Sequence, residues 1–359
     1  AFPIIVGVLV VVGGQRADAL LVANLRSNLG GAGNYLEQVK ADIGIRVSQM
    51  VRAERLTKLV IAQPESSELR ELLNTAARGG GLDFLIVATQ QGRVLASSSG
   101  VPAGAHLPES YVVRQAAIGV ANAAFERIPP ASFDAFSPRF NEVIGNSGDA
   151  VLINAAAHFP LGVNSVDAIL VGGILLNNNL PTIDRIRDVV FPVKLQLGQS
   201  VGFTSIFLDD LRIATTATNP AGQRATGTHA PAGIGARVLA SGGSWTGRTE
   251  FFGEWQISGY EALLDGAGQP IGMVGVSFPE ADFTRQKWLL TGSVGALLAL
   301  SMLALSLSFL HGARHITRRL ARISDTMTAI HHGDDRARVP QDDESDEIAR
   351  LAGVGEQVA

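Results

Sequence analysis

Two stretches of this chain are apolar and carry no charge: residues 1–15, beginning AFPIIVGVLVVVGG, and residues 288–310, WLLTGSVGALLALSMLALSLSFL. The second is long enough, at about 1.5 Å per helical residue, to cross a hydrocarbon core of about 30 Å. Trp288 sits at one end, where an indole favours the headgroup level, and Arg314, Arg318, Arg319 and Arg322 follow the other. The arginines place the C-terminal side in the cytoplasm. The first stretch fits either the apolar part of a signal peptide or a membrane helix whose beginning is missing. No small-residue cleavage pattern follows Gly14, which favours the truncated helix. Residues 16–287 would then lie outside the cytoplasm, between two anchors.

Between the anchors the texture changes from helical to strand-like. Residues 17–62 lack proline and repeat apolar positions at helical spacing, including Leu36, Val39, Ile43, Val47, Met50 and Val51. Pro64 ends this long helix, and Gly30, Gly31 and Gly33 mark an expected weak point or bend. A second helix is predicted over residues 66–78. A hairpin over 83–98 follows, turning at Gln91-Gly92, then a helix over 111–122 and strands at 150–159 and 168–177. After a connecting helix at 182–190, with Ile183, Ile186 and Val190 on its apolar side, the pattern returns. It runs as a hairpin at 202–216 turning at Asp209-Asp210, a helix at 233–240, and strands near 245–252, 255–264 and 270–278. A small antiparallel sheet with helices on one face, used twice, fits that order.

Past the second anchor, Ile316, Leu320, Ile323, Met327 and Ile330 are spaced as a coiled-coil seam. A polar connector through Gly333 precedes a second seam at Ile348, Leu351, Gly355 and Val358. Two short amphipathic helices cannot bury such seams alone, so a parallel homodimeric four-helix bundle is expected.

The chain has 359 residues, 46% hydrophobic and 17% charged, with a net charge of −4 and no cysteine. The apolar content excludes disorder, and the charge gives no reason to expect nucleic-acid binding. Lack of cysteine removes disulfides, thiolate metal sites and cysteine nucleophiles together.

The tail from Ile316, with ITRRL, GDDRARVP and then DESDEIARL containing Glu347, resembles a HAMP signalling module. It carries Arg318 where that family has proline, and Gly355-Glu356 where it has Phe-Asn. The stretches GGILLNNN (172–179), IDRIRDVVF (183–191), TSIFLDDLRIATTA (204–217), GQRATGT (222–228) and GYEALLDGAGQPIGMVGVSF (259–278) resemble a double Cache sensor domain of the fused Cache type. The resemblance implies an α+β fold. Two tandem PAS-like antiparallel-sheet units sit on a long N-terminal helix, between transmembrane helices and a C-terminal HAMP coiled coil. The expected domains are 1–15, a truncated first membrane helix; 16–64, a long helix; 65–191 and 192–287, the membrane-distal and membrane-proximal units; 288–310, the second membrane helix; and 311–359, the HAMP-like module.

A pocket for a small anion needs guanidinium or hydroxyl donors and aromatic walls. Tyr111, Arg114, Asn154 and His158 qualify by type in the first half, and Arg212, Thr215, Arg224, Arg248 and Tyr260 in the second. Arg212 could instead pair with Asp209 or Glu261. Residues 198–202, GQSVG, match a G-x-S-x-G nucleophile elbow, but a strand-like run follows where a helix is required, so Ser200 reads as part of a flexible link. His331-His332 and the acidic residues 342–347 do not make a metal site, because adjacent histidines diverge on a helix and acidic runs are solvated. No catalytic residue, metal or cofactor is expected.

The expected function is a bacterial inner-membrane receptor, dimeric and multi-pass. A periplasmic small-molecule ligand, an organic anion, would act through the second membrane helix and HAMP on a missing output, a histidine kinase or chemotaxis signalling domain with its response regulator. The alternatives are the input half of a diguanylate cyclase or phosphodiesterase receptor, a tethered hydrolase using Ser200, and an anchored adhesive protein.

Overall fold

The structure is a computed structural model that describes residues 2–145, 148–161, 167–192 and 202–331. Gly14–Arg285 forms one compact unit, and the residues on either side of it form a second.

The first helix, α1 (Phe2–Met50), runs without interruption through Gly30, Gly31 and Gly33, where the sequence suggested a weak point. The break comes after Met50 instead, where Ala53 turns extended (ψ 110) to start α2 (Glu54–Ala62). Gly30 and Gly31 meet nothing within 4 Å, and the helix is held through them by the packing of its neighbours. Leu25, Leu29, Ala32 and Leu36 are buried on one side of α1, and Gly33 lies so close to Glu261 that a Cβ would stand 3.1 Å from its Oε2. About three turns further on, Gly44 comes equally close to Ala123, with 3.1 Å left for a Cβ. Gly33 and Gly44 are points of close approach, where tertiary burial outweighs the propensity cost of about 1 kcal/mol each.

Helix α3 (Ser67–Gly80) is capped by the Ser66 side chain, which accepts from Leu69 N, and ends on Gly81 in the left-handed region. Five strands follow: β1 (Phe84–Thr89), β2 (Val94–Ser97), β3 (Asn122–Ile128), β4 (Ala150–Phe159) and β5 (Ala168–Leu175). Helices α4 (Tyr111–Ala117), α5 (Phe133–Phe136) and α6 (Arg139–Ile144) lie between them. The expected helix over 111–122 is therefore cut short. Gly119 (φ 89) stops it, and Asn122 opens a strand that the pattern did not announce. Helix α7 (Leu180–Val190) buries Ile183, Ile186 and Val190, as its apolar stripe required. The second set comprises β6 (Phe203–Leu208), β7 (Leu211–Thr215), α8 (Ile234–Ser241), β8 (Ser244–Phe251), β9 (Glu254–Leu264) and β10 (Pro270–Pro279).

The two sheets are antiparallel and five-stranded, with orders β2-β1-β5-β4-β3 and β7-β6-β10-β9-β8. Adding five to each strand number of the first gives the second, so the expected duplication is present in the strand order itself. One face of each sheet packs on α1: Leu85, Val87, Phe125 and Ile153 of the first sheet and Ile206, Val274 and Val276 of the second belong to the same buried cluster as Leu25 and Leu29. The sheets also touch directly. Phe125 bridges to Asp265, Tyr111 lies over Gly266, and Arg127 bonds both Asp149 (2.6 Å) and Asp209 (2.9 Å).

The last described helix, α9 (Glu280–His331), follows β10 without a loop. Its segment Gly292–Arg322 is, among the described residues, the one long and apolar enough to cross a membrane, and Leu297, Leu305 and Phe309 on it are exposed. This segment starts four residues after the expected Trp288 and continues through the arginine cluster.

A Cβ on Gly272 would sit 2.0 Å from the Phe207 carbonyl oxygen, whereas one on Gly79 meets nothing within 4 Å. In thermal melts of the detergent-solubilised chain, Gly272→Ala should cost about 1–3 kcal/mol, whereas Gly79→Ala should gain up to about 1 kcal/mol. Burial raises the Glu261 carboxyl above its ordinary range. The folded chain therefore takes up that proton more readily than the unfolded chain, and stability falls as pH rises through the raised value. Glu261→Gln should melt above the wild type at neutral pH, with the gap closing as the pH is lowered into the ordinary carboxylate range.

Candidate functional site

The four candidates of the first unit do not converge. Tyr111 packs against Gly266 of the β9–β10 turn, as a contact between the sheets and not as a pocket wall. Arg114 is exposed, 4.0 Å from Glu109. His158 lies 3.0 Å from Asp167, near the end of β4. Asn154 alone sits in a buried polar cluster, donating to Glu126 Oε2 at 2.8 Å. The Glu126 carboxylate also accepts from Ser110 Oγ (2.8 Å) and from Val112 N (3.2 Å), which makes it a cap on α4. Around it the outer face of the first sheet is filled with hydrophobic side chains, including Phe84, Phe133, Phe136 and Phe140.

The outer face of the second sheet is different. Alternation along the strands puts Val274 and Val276 against α1 and turns Met273, Gly275 and Ser277 outward, where they pair with Phe207, Tyr260 and Ser258. Gly275 makes this face possible: a Cβ there would be 3.0 Å from the Tyr260 ring and 3.1 Å from Phe207. Three hydroxyls form a ladder, with Thr249 Oγ1 and Ser258 Oγ 2.6 Å apart and Ser258 Oγ and Ser277 Oγ 2.8 Å apart. Burial pushes the Tyr260 phenol up, opposed by Arg212 and by hydrogen bonds to Ser258, Ser277 and Thr249.

Arg212 is the central cation of this face, with 2% of its surface exposed. Its guanidinium lies 5.1 Å from the Phe207 ring and 4.6 Å from the Phe251 ring, and Nη1 donates to Thr228 Oγ1. Neither carboxylate considered from the sequence is its partner. Asp209 bonds Arg127 across the sheet interface, and Glu261 points to the opposite face, against Gly33. No ion pair to Arg212 forms among the described residues, and its Nε has no hydrogen-bond partner. Desolvation lowers its pKa to about 10, so it stays charged at neutral pH.

A cleft of about 310 Å³ has Phe251 as one wall, and Arg212 is not among the residues that line it. Phe203, Thr216, Arg187, Glu254 and Gln256 also line it, so it carries a charge of each sign, and the Gln256 Oε1 is buried without a partner.

The remaining candidates of the second unit have other roles. Thr215 Oγ1 meets Ser205 Oγ at 2.8 Å and donates to Thr204 O, bracing β7 against β6. Arg224 holds the loop after β7 to the linker helix, through Thr215 O and both carboxylate oxygens of Asp184 at 2.8 and 2.9 Å. Arg248 lies 3.9 Å over the Trp255 ring and bonds Glu280, the first residue of α9, at 2.5 Å. The coil positions Ile316, Leu320, Ile323, Met327 and Ile330 all fall within α9. Gly333, Glu347, Ile348, Leu351 and Ser200 lie outside the described residues. Among the described residues, no group of three or more His, Cys, Asp or Glu could hold a metal ion.

Residues 174–288 match the family model for single cache domain 3, a stretch that contains α7 and the whole second sheet. No curated protein matches the chain. Solved structures it is similar to include the periplasmic domain of Vibrio cholerae LuxQ, at 12% identity over 71% of this chain and 99% of that one, with a TM-score of 0.44. Another is the sensor domain of the V. cholerae histidine kinase DctB, at 10% identity over 74% and 98%, with a TM-score of 0.42. A third is the ligand-binding domain of the Pseudomonas aeruginosa amino acid chemoreceptor PctB, at 12% identity over 74% and 95%, with a TM-score of 0.36.

The Arg224–Asp184 pair is about two-thirds buried on both sides, at 31% and 33% side-chain exposure. A double-mutant cycle with Arg224→Met and Asp184→Asn, read by denaturant melts, should give a coupling of about 0.5–1 kcal/mol. A coupling near zero would mean that the loop is held by the Thr215 carbonyl alone.

Proposed function

We propose that this chain is the input part of a bacterial transmembrane receptor, in which a small molecule bound outside the cytoplasm changes the packing of a dimeric helical coil inside. The observation that carries this reading is the direct continuity of the second sheet with the membrane-length helix. Strand β10 ends at Pro279 and α9 begins at Glu280, where Arg248 is bonded. A shift of β8 or β10 is thereby delivered to the start of α9 with no flexible segment between.

The two sheets form a double Cache-like sensor over residues 65–287. Residues 1–15 and 288–310 are its anchors, and residues 311–359 act as a HAMP-like relay. Ile316 and Leu320 are apolar and half exposed in a single chain, which supports a second copy packed along them. Ligand binding moves the equilibrium only by as much as the two packings differ in affinity, a coupling of about 1–3 kcal/mol. The output is a histidine kinase or chemotaxis signalling domain, or alternatively a cyclic-dinucleotide enzyme.

The native chain has no cysteine, so a single Leu320→Cys substitution reports without background. In oxidised membranes this variant should yield disulfide-linked dimers, and a strictly monomeric product would contradict the receptor model.

A further inference from the structure

We propose that the turn between β8 and β9 is a membrane contact, in which Phe252 and Trp255 seat in the lipid headgroup layer beside the anchor that α9 supplies. The proposal rests on the receptor reading above, from which it takes the membrane, and adds a second point at which the sensor unit touches it.

Local stability does not account for the residues of this turn. Phe251 pairs with Glu254 at the end of the β8–β9 ladder, which leaves Phe252 and Gly253 as the connection. Both have positive φ, 50 for Phe252 and 81 for Gly253. Such a turn favours asparagine followed by glycine, and a phenylalanine at its first position is strained. Burial gives little in return: Phe252 is 48% exposed, with its ring centroid 4.5 Å from that of Phe251. Trp255 is 47% exposed, and the Arg248 guanidinium lies 3.9 Å over its ring. Strain and exposed aromatic surface at one place mark a contact with something outside the fold.

The lipid surface is the partner that the chain itself brings to this turn. Pro279, the last residue of β10, pairs with Gln256, so the turn projects about 10 Å past the end of β10, where α9 begins. From Glu280 to Trp288 the helix rises about 12 Å. The reach of the turn therefore matches the length of helix that precedes the residue expected at the headgroup level. The bond from Arg248 to Glu280 fastens the hairpin to the start of that helix. Aromatic rings, tryptophan above all, favour the headgroup level, where an apolar body and a polar edge are both satisfied. Glu250 and Glu254 flank the rings and outnumber Arg248, so the contact depends on aromatic seating and not on attraction to anionic lipid.

The test uses the full chain, which has no native cysteine, in nanodiscs of phosphatidylcholine. A nitroxide on Glu254→Cys reports its depth through collision rates with oxygen, which concentrates in lipid, and with a water-soluble nickel chelate. Labels on Leu303→Cys, in the membrane-length helix, and on Glu109→Cys, whose side chain is 95% exposed on the first unit, give the lipid and water references. The oxygen-to-nickel ratio at the Glu254 position should be several-fold above that at Glu109, and equal at low and high salt. F252N, which suits the turn, should stay folded and lower the ratio about twofold, and F252N/W255Q should bring it to the Glu109 value. The proposal is overturned if the Glu254 and Glu109 positions give the same ratio, or if F252N/W255Q leaves the ratio unchanged. A label reached by neither reagent overturns it in favour of a second copy packed on the turn. If the Leu303 label is in lipid and the Glu254 label in water, this proposal fails alone; if both are in water, the anchor and the receptor reading fail with it.

Discussion

The structure depends on one burial event, the packing of a single face of α1 against both sheets. Leu25 and Leu29 press on the second sheet at Gly259, and Val47 presses on the first at Gly172. Gly33 and Gly44 bring the helix close enough for those contacts to form. Full burial of a leucine or valine is worth about 1.5–3 kcal/mol, so a handful of such positions exceeds the net stability of a typical domain. Helix α3 covers the rest of the first sheet's inner face, against β1 and β2, and α7 that of the second, against β6 and β7. The bridge from Phe125 to Asp265 and the ion pairs of Arg127 add registration between the sheets.

Given the same scaffold twice, the chain uses the outer faces differently. The first sheet fills its outer face with phenylalanines and satisfies its one buried carboxylate, Glu126, with a hydroxyl, an amide side chain and a backbone N–H. The second spends the equivalent surface on a hydroxyl ladder, a tyrosine and an arginine without a carboxylate. Buried polar groups left incomplete are destabilising, and selection retains them where something else completes them. The first sheet is not fully satisfied either, because the Asn154 Oδ1 is buried without a partner, as are the Arg212 Nε and the Gln256 Oε1 on the second.

Much of this was legible in the sequence, and the failures have physical causes. The apolar spacing gave α1 and α7, and turn chemistry gave both hairpins, where Gly92 (φ 84) and Asp209 (φ 50) occupy the left-handed region. Strand β3 was missed because Asn-Ala-Ala-Phe-Glu-Arg-Ile has low strand propensity and a glutamate at an inward position. That glutamate is tolerated inside because it caps a helix, which no local pattern shows. The partner of Asp209 proved to be Arg127, 82 residues away, so a pairing judged by sequence proximity went to Arg212 instead. The hydroxyl ladder of the second sheet, Thr249, Ser258 and Ser277, left a faint signal as small hydroxyls recurring along β8, β9 and β10.

The central claim is that α1 makes the two sheets one cooperative body. Hydrogen exchange on the Leu29→Ala chain tests it most directly, because Leu29 touches the second sheet at Gly259. The account predicts that the slowest amides of β1, β4 and β5 lose as much protection as those of β6, β9 and β10. Loss confined to the second sheet, with the first unchanged, would contradict it.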